Sequence, residues 1–478
     1  MHTEKDTKKS TKRKIEAKGF NISTKSFLTA IAVIFVLMIL TYILTFVIPG
    51  GAYNRIPDDA GNTVIDTEGG FKNVDGGISF VKWLLSPLLV LGAEGNGSLI
   101  AVIAFLLVIG GVFNSLDKRG LMRYMLDRIT YRFGKNRYKL LAVITLFFMA
   151  LGSLIGSFEE CVPLVPIVVA LAVRLGWDVL TGMGMSLLAI GCGFASGICN
   201  PFTVGVAQEL AGLPMFSGMW FRILAFLLIY VLLMAFLYRH VKKIENPLDT
   251  AVLSSGFERN KAMDRGLSCF VSVLGAGILL VISSVVITDL QDYTMIIVAV
   301  MFLVAGILAC LVSGMRGREL GQTFLNGVIS IAPAVLMILM ANSIKYTMVE
   351  ANILDTILHG AVLVAETLQG WTVILFVYLV VLVMNFFIPS GSAKAFLLVP
   401  LIVPVAQIFG ISPQLCVVAY AFGDGFSNVF YPTNPVLLLA LGLADVNYVD
   451  WVKWSWKFQI LNLMMTSGLL LLGLAVGY

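Results

Sequence analysis

Apolar runs of about twenty residues recur from one end of this chain to the other, and each is long enough to cross a bilayer core of about 30 Å. Only 13% of the 478 residues are charged and 58% are hydrophobic. A water-exposed protein carries roughly a quarter charged residues, so a soluble globule is excluded. The expected class is an all-α polytopic membrane protein. Its six cysteines (Cys161, Cys192, Cys199, Cys269, Cys310 and Cys416) all lie in apolar stretches without CxxC or Cys/His spacing. They read as small packing residues, and neither a disulfide framework nor a metal site is expected.

Positive residues orient the spans. Residues 1–26 form a basic tail with eight Lys/Arg against three acids, which places the N-terminus in the cytoplasm. The first apolar run, Phe27–Val47, is too long for a signal-peptide core. Residues 49–78 hold two bases and five acids and belong outside. A second crossing is expected from about Leu88 to Leu116, interrupted by the polar patch Glu94 to Ser98. In the basic stretch that follows it, Leu121, Met122, Met125, Leu126 and Ile129 recur at helical spacing, so 117–138 reads as an interfacial helix on the cytoplasmic face. Residues 240–266 form a second basic segment, the natural linker between two halves. The base-free loop 288–292 belongs outside, and 345–370, with one lysine and three acids, suits an external interfacial helix. Lys453 and Lys457 put the start of the last span inside, so the C-terminus is expected outside.

Self-comparison is more informative still. At a shift of 234, Leu164-Val165-Pro166 lands on Leu398-Val399-Pro400, Gly176 on Gly410, Gly191 on Gly425, Asn200-Pro201 on Asn434-Pro435 and Trp220 on Trp454. At a shift of 228, Asn114-Ser115, Leu126-Asp127 and Ile129 land on Asn342-Ser343, Leu354-Asp355 and Ile357. Residues 27–239 and 267–478 therefore read as two repeats. Their interfacial segments fall on opposite faces by charge, so the repeats are inverted, the architecture typical of secondary transporters.

Each repeat holds two stretches that cannot be regular helix. Residues 139–176 are apolar at both ends but broken by the polar run Gly152 to Glu160; their counterpart, 371–410, breaks between Asn385 and Lys394. Both read as re-entrant hairpins whose tips meet near the midplane. The segments 179–213 and 412–443 are expected to break over Gly191 to Thr203 and over Gly423 to Pro435, where Pro201, Pro432 and Pro435 each remove a donor and clash with the preceding turn. Irregular backbone at membrane depth is tolerated only where it lines protein or a watery cavity, and the freed ends there can hold ions. The expected substrate lining is Ser153, Ser157, Asn200, Ser390, Ser392, Asn428 and Asn434, with Ser427 and Thr433 as candidate cation ligands.

A charge at the bilayer centre costs at least about 2.5–3.5 kcal/mol, so one kept there usually has a task. Glu159, Glu160, Lys394 and Asp424 lie at the breaks, and the repeat shift sets Glu160 opposite Lys394. Three acids and one base suit a cationic amino acid, with the acids on its ammonium or guanidinium group and Lys394 on its carboxylate. His2, His240 and His359 read as lying outside the spans, which argues against a histidine proton relay.

In GSLIGSFEE (152–160), ICNPF (198–202), IPSGSAKA (388–395) and FGDGFSNVFYPTNP (422–435), the chain resembles the YfcC-type carriers of the anaerobic four-carbon dicarboxylate carrier family, within the wider ion transporter superfamily. The resemblance covers essentially the whole chain. It implies an elevator-type transporter in the bacterial cytoplasmic membrane, with substrate bound at the hairpin tips and sodium held beside Ser-Asn-Thr motifs. Ser427-Asn428 and Thr433-Asn434 are similar to those motifs, whereas Ser153 and Ser157 lack the following Asn-Thr. It further implies amino acid transport, of which arginine–ornithine exchange is the attributed case, and by analogy a homodimer. The function expected is therefore a basic amino acid antiporter; the alternative is a four-carbon dicarboxylate carrier anchored mainly by Lys394. Na+ and H+ are the candidate coupling ions, and no cofactor or nucleic acid partner is expected. An intramembrane enzyme is disfavoured because HExxH, GxSxG and paired-aspartate signatures are absent. Inverted hairpins argue against a channel.

Overall fold

A computed structural model describes residues 24–57, 63–65, 70–93, 97–156, 158–245, 258–283, 294–368 and 370–478. Residues 1–23 of the basic tail, the loop 288–292 and Ser157 lie outside the described residues. Helix dominates, with one addition to the all-α expectation. After α1 (Thr24–Val47) come two small antiparallel pairs, β1 (Gly51–Tyr53) with β4 (Phe71–Asn73) and β2 (Arg55–Pro57) with β3 (Thr63–Ile65).

Short helices α2 (Phe80–Leu84) and α3 (Ser86–Leu89) precede α4 (Gly97–Arg119). The crossing expected from Leu88 therefore starts at Gly97 and runs through Asp117. Gly120, in the left-handed region at φ 78°, ends α4 and starts the amphipathic α5 at Leu121–Phe133, which narrows the interfacial segment expected over 117–138. Next come α6 (Arg137–Leu154), a 3-10 turn (Glu159–Leu164) and α7 (Val165–Arg174). Then α8 (Val179–Met183) passes through a π turn into α9 (Ala189–Ser196); a break and a second π turn (Pro201–Gly205) lead to α10 (Val206–Leu210) and the long α11 (Met219–Ile244).

The second half comprises α12 (Lys261–Ser283), α13 (Thr294–Val312), α14 (Gly317–Glu350), α15 (Leu354–Thr367), α16 (Thr372–Phe387), α17 (Gly391–Ile408), α18 (Pro413–Asn428), α19 (Pro435–Leu443) and α20 (Tyr448–Ala475). Lys345 does not open an interfacial segment. Its neighbours Ile344, Thr347 and Met348 are buried, so α14 continues to Glu350, and Asn352 at φ 55° turns the chain into α15. His240 likewise falls inside α11 rather than beyond it, which shortens the 240–266 linker at both ends. Among the described residues, seven helices are long and apolar enough to cross a membrane, including Met219–Ile244 and Tyr448–Ala475.

Helix ends recur at the 234-residue shift. The start of α8 falls on the start of α18, and the α6 and α16 bounds agree to within a residue. The packing repeats as well: α6 lies on α9 and α16 on α18, while α9 and α18 touch each other. Small residues permit these approaches, as membrane helix packing requires. A Cβ on Gly425 would overlap the Ala195 backbone, one on Gly193 would overlap Met149, and one on Gly152 would overlap Ile190. At the α4–α14 crossing, Gly327 faces the backbone of Gly110, and Asn114 Nδ2 donates to the Thr323 carbonyl at 2.6 Å. Phe105, Phe113, Phe270 and Phe302 form a separate apolar core around α4, α12 and α13.

The β segment is pinned to α15. Tyr53 N donates to Asp355 Oδ2 at 2.9 Å, Arg55 pairs with Asp355 Oδ1 at 2.8 Å, and the His359 ring stacks on Phe71 at 4.1 Å. Elsewhere, Asp178 caps α8 through Thr181 and meets His240 Nε2 at 3.1 Å. Trp454 Nε1 donates to His240 Nδ1 at 3.2 Å. Indole nitrogen only donates, so Nδ1 is the acceptor and Nε2 carries the proton towards Asp178. This chain of bonds ties α8, α11 and α20 together across the two halves of the chain.

Candidate functional site

The second hairpin and the second broken helix meet in a buried polar cluster. Helix α16 ends at Phe387, Ile388 and Pro389 are irregular, and α17 restarts at Gly391 with Ser390 as its N-cap. One turn into α17, Lys394 is fully enclosed, and its Nζ lies 2.6 Å from Oδ1 of Asp424 on α18. The ammonium also donates to Asn385 Oδ1 and, at 3.3 Å, to the Ile388 carbonyl that the break leaves free. It stands 5.9 Å from the Tyr420 ring centroid.

Asn385 is the hub of this cluster. With its oxygen facing Lys394, its Nδ2 donates to the Asp424 carbonyl at 3.1 Å, to Ser427 Oγ at 2.6 Å and to Asn428 Oδ1 at 2.9 Å. Asn428 Oδ1 accepts in turn from Asn434 Nδ2 at 3.0 Å, and Asn434 Oδ1 caps α19 through Val436 N at 2.9 Å. The second break is thus stitched by amides from Asn385 to the start of α19. Three buried oxygens, Asp424 Oδ2, Thr203 Oγ1 and Thr433 Oγ1, have no hydrogen-bond partner among the described residues. One of them faces Gly391: a Cβ there would lie 2.7 Å from Asp424 Oδ2 and would also overlap the Thr203 methyl group. Thr203 belongs to the first broken helix, so both halves contribute to one place.

The first tip is built by backbone capture. Ser153 Oγ accepts from Ile198 N at 3.0 Å and from Ser196 Oγ at 3.2 Å, while Cys199 N donates to the Ser153 carbonyl at 3.2 Å. Asn200 is buried, takes Thr203 N at 3.3 Å on its Oδ1, and packs so closely on Gly156 (φ 77°) that a Cβ would overlap its amide.

Of the residues expected at the site, Lys394, Asp424, Ser427, Asn428 and Asn434 are brought together directly. Thr433 is buried beside them, whereas Ser153 and Asn200 line the first break. Ser390 is exposed and makes no side-chain cap, and Ser392 is half-buried. Glu159 and Glu160 open the 3-10 turn, and their side chains, like Ser157, lie outside the described residues. Lys394 pairs with Asp424, a partner the repeat shift does not indicate. Asn385 escaped the sequence reading although it opens the motif at the second tip. Arg222 escaped it too, despite being a lone charge in the apolar run Met219–Leu237. Among the described residues, no group of His, Cys, Asp or Glu could hold a metal ion.

Paired apolar helices, backbone breaks and an enclosed polar centre are the features of a multi-pass membrane protein. The profile of the C4-dicarboxylate anaerobic carrier family matches residues 27–475, and the chain belongs to that family of transporters. It is 30% identical over 408 residues, 80% of this chain and 79% of the other, to an Escherichia coli K12 protein named "Putative basic amino acid antiporter YfcC". An uncharacterized Haemophilus influenzae Rd protein is 23% identical over 478 residues, 90% of this chain and 93% of its own length. Among solved structures, the Alcanivorax borkumensis YdaH transporter aligns with a TM-score of 0.47 at 18% identity, covering 94% of this chain and 99% of its own. The Neisseria gonorrhoeae efflux pump MtrF aligns at 0.46 and 16%, covering 92% and 94%.

Proposed function

We propose that this transporter is a secondary carrier that exchanges basic amino acids of the arginine/ornithine type. In this reading the two repeats are inverted in the membrane, with the N-terminus in the cytoplasm and the C-terminus outside, and the hairpins and broken helices move together as an elevator. The observation that carries the substrate reading is the enclosed Lys394–Asp424 pair at 2.6 Å. An amino acid with a cationic side chain can open that pair by meeting each of its charges. Its carboxylate takes Lys394 and one of its two cationic groups takes Asp424, while the second cationic group is assigned to Glu159 or Glu160 at the other tip, so that no charge is left uncompensated in a low-dielectric site. Asp424 Oδ2, unpartnered beside the bare Cα of Gly391, is the oxygen free to begin the exchange. A four-carbon dianion would instead bring two negative charges to a lysine already neutralised, with Glu159 and Glu160 opening the other tip.

The name of the Escherichia coli relative agrees with this reading, while the family description favours the alternative, a four-carbon dicarboxylate carrier anchored by Lys394. Proteoliposomes loaded with ornithine and given labelled arginine or labelled succinate separate the two. Arginine uptake that requires internal ornithine supports exchange of basic amino acids; succinate uptake without arginine uptake overturns it.

A further inference from the structure

Arg222, in the first turn of α11, is a fully enclosed cation with no carboxylate partner among the described residues. Its guanidinium is instead surrounded by neutral oxygens. Nε and Nη2 donate to the Ile198 carbonyl at 3.2 and 3.0 Å, Nη1 donates to the Ser217 carbonyl at 2.9 Å, and the Tyr478 hydroxyl lies 3.5 Å from Nη1. Ile198 sits in the first break, two residues beyond the end of α9, and its amide is the one that donates to Ser153 on the first tip. One residue is thus bracketed between the tip on its nitrogen side and Arg222 on its oxygen side.

A backbone carbonyl freed by a broken helix, converging with a turn carbonyl and a hydroxyl, forms the kind of shell that holds an alkali cation. Here the shell is occupied from within the chain. The second break is treated differently: the carbonyls of Val429 and Phe430 accept from Trp451 Nε1 at 2.8 Å and Tyr448 OH at 2.9 Å, both neutral donors on the following helix. The position equivalent to Arg222 at the 234-residue shift is the exposed Trp456. A buried charge at one break and neutral donors at the other is an asymmetry that backbone satisfaction alone does not require.

We propose that Arg222 is a resident cation, its guanidinium filling the oxygen-lined seat at the first break that a sodium ion would otherwise take, so that this half of the carrier works without sodium. Arg222 is on this view a positioning residue acting through Ile198 on the Ser153 tip. The proposal is independent of which solute is carried.

The test is thermal unfolding of the purified full-length chain with NaCl or choline chloride at matched ionic strength. The sodium shift of the wild type, which includes any sodium held at the second break by Ser427 and Thr433, is the baseline. Arg222→Ala is expected to unfold at a lower temperature than the wild type in choline and to gain about 2 °C or more beyond that baseline on adding sodium or millimolar guanidinium, because either cation enters the vacated seat. Arg222→Lys should show only the baseline shift. An Arg222→Ala protein that gains no more than the wild type from either cation overturns the proposal, since that marks Arg222 as a packing residue only. Should Arg222→Ala fail to fold, radioactive sodium binding to Arg222→Gln decides: one more sodium bound per chain than in the wild type supports the proposal, and equal numbers overturn it. Failure of the arginine exchange assay leaves these readouts unaffected.

Discussion

The ammonium of Lys394 and the carboxylate of Asp424 meet at 2.6 Å with no exposed surface on either side chain, one from the returning arm of the second hairpin and the other from the second broken helix. The pair is therefore a cross-link between two backbone elements as well as two compensating charges.

Breaking that pair from one side should be severe. Lys394→Met or Asp424→Asn leaves an uncompensated or unsatisfied group in the interior and is expected to cost about 3–5 kcal/mol. The double substitution should cost clearly less than the sum of the two, as a coupled pair requires. Unfolding of the detergent-solubilised variants in a double-mutant cycle measures this; additive costs would show the two groups to be energetically independent.

At the first tip, the expectation concerns binding. Glu160→Gln should weaken arginine binding far more than Glu94→Gln, whose position precedes α4. Equilibrium binding of labelled arginine to purified variants gives the comparison, and equal effects would remove the first tip from the substrate site.

Much of this arrangement was legible because the cues are backbone cues. Gly197 and Pro389 mark where helices stop, and Pro201 and Pro435 open the segments that follow. The Lys394–Asp424 pairing was not legible, because the repeat shift relates equivalent positions, whereas side chains pair with whatever the packing of α17 on α18 presents. Lys345 misled for a related reason: a charge was read as the start of a polar segment, while the buried residues on either side kept the helix intact. Arg222 could have been found by asking of every charge in an apolar run what satisfies it.

The close approach of the first hairpin to its broken helix gives a packing expectation. Gly193→Ala would drive a methyl group into Met149 and is expected to cost about 1–3 kcal/mol. Gly275→Ala, on α12 with open space around it, should be neutral or stabilising by up to about 1 kcal/mol. Comparing the unfolding of both variants with the wild type tests whether contact, rather than helix propensity, holds glycine at 193.

The Asp178 cap predicts a pH dependence. Burial pushes its carboxyl up, but hydrogen bonds from His240 and Thr181 outweigh this and hold it below the usual carboxylate value of 3.8. A carboxyl depressed on folding stabilises the fold above its unfolded value and loses that contribution as pH falls through its folded value. Asp178→Asn should therefore lower the unfolding temperature at neutral pH, and the gap to the wild type should close below about pH 4. A gap that persists unchanged at the lowest pH would mean that Asp178 acts without its charge.

Gly425 rests against the backbone of Ala195, so the two broken helices touch with no side chain between them. Such a seat has no slack. Neither helix can slide past its twin by even a methyl's width without a clash, so the proposed elevator motion would have to carry the two as one piece of cargo.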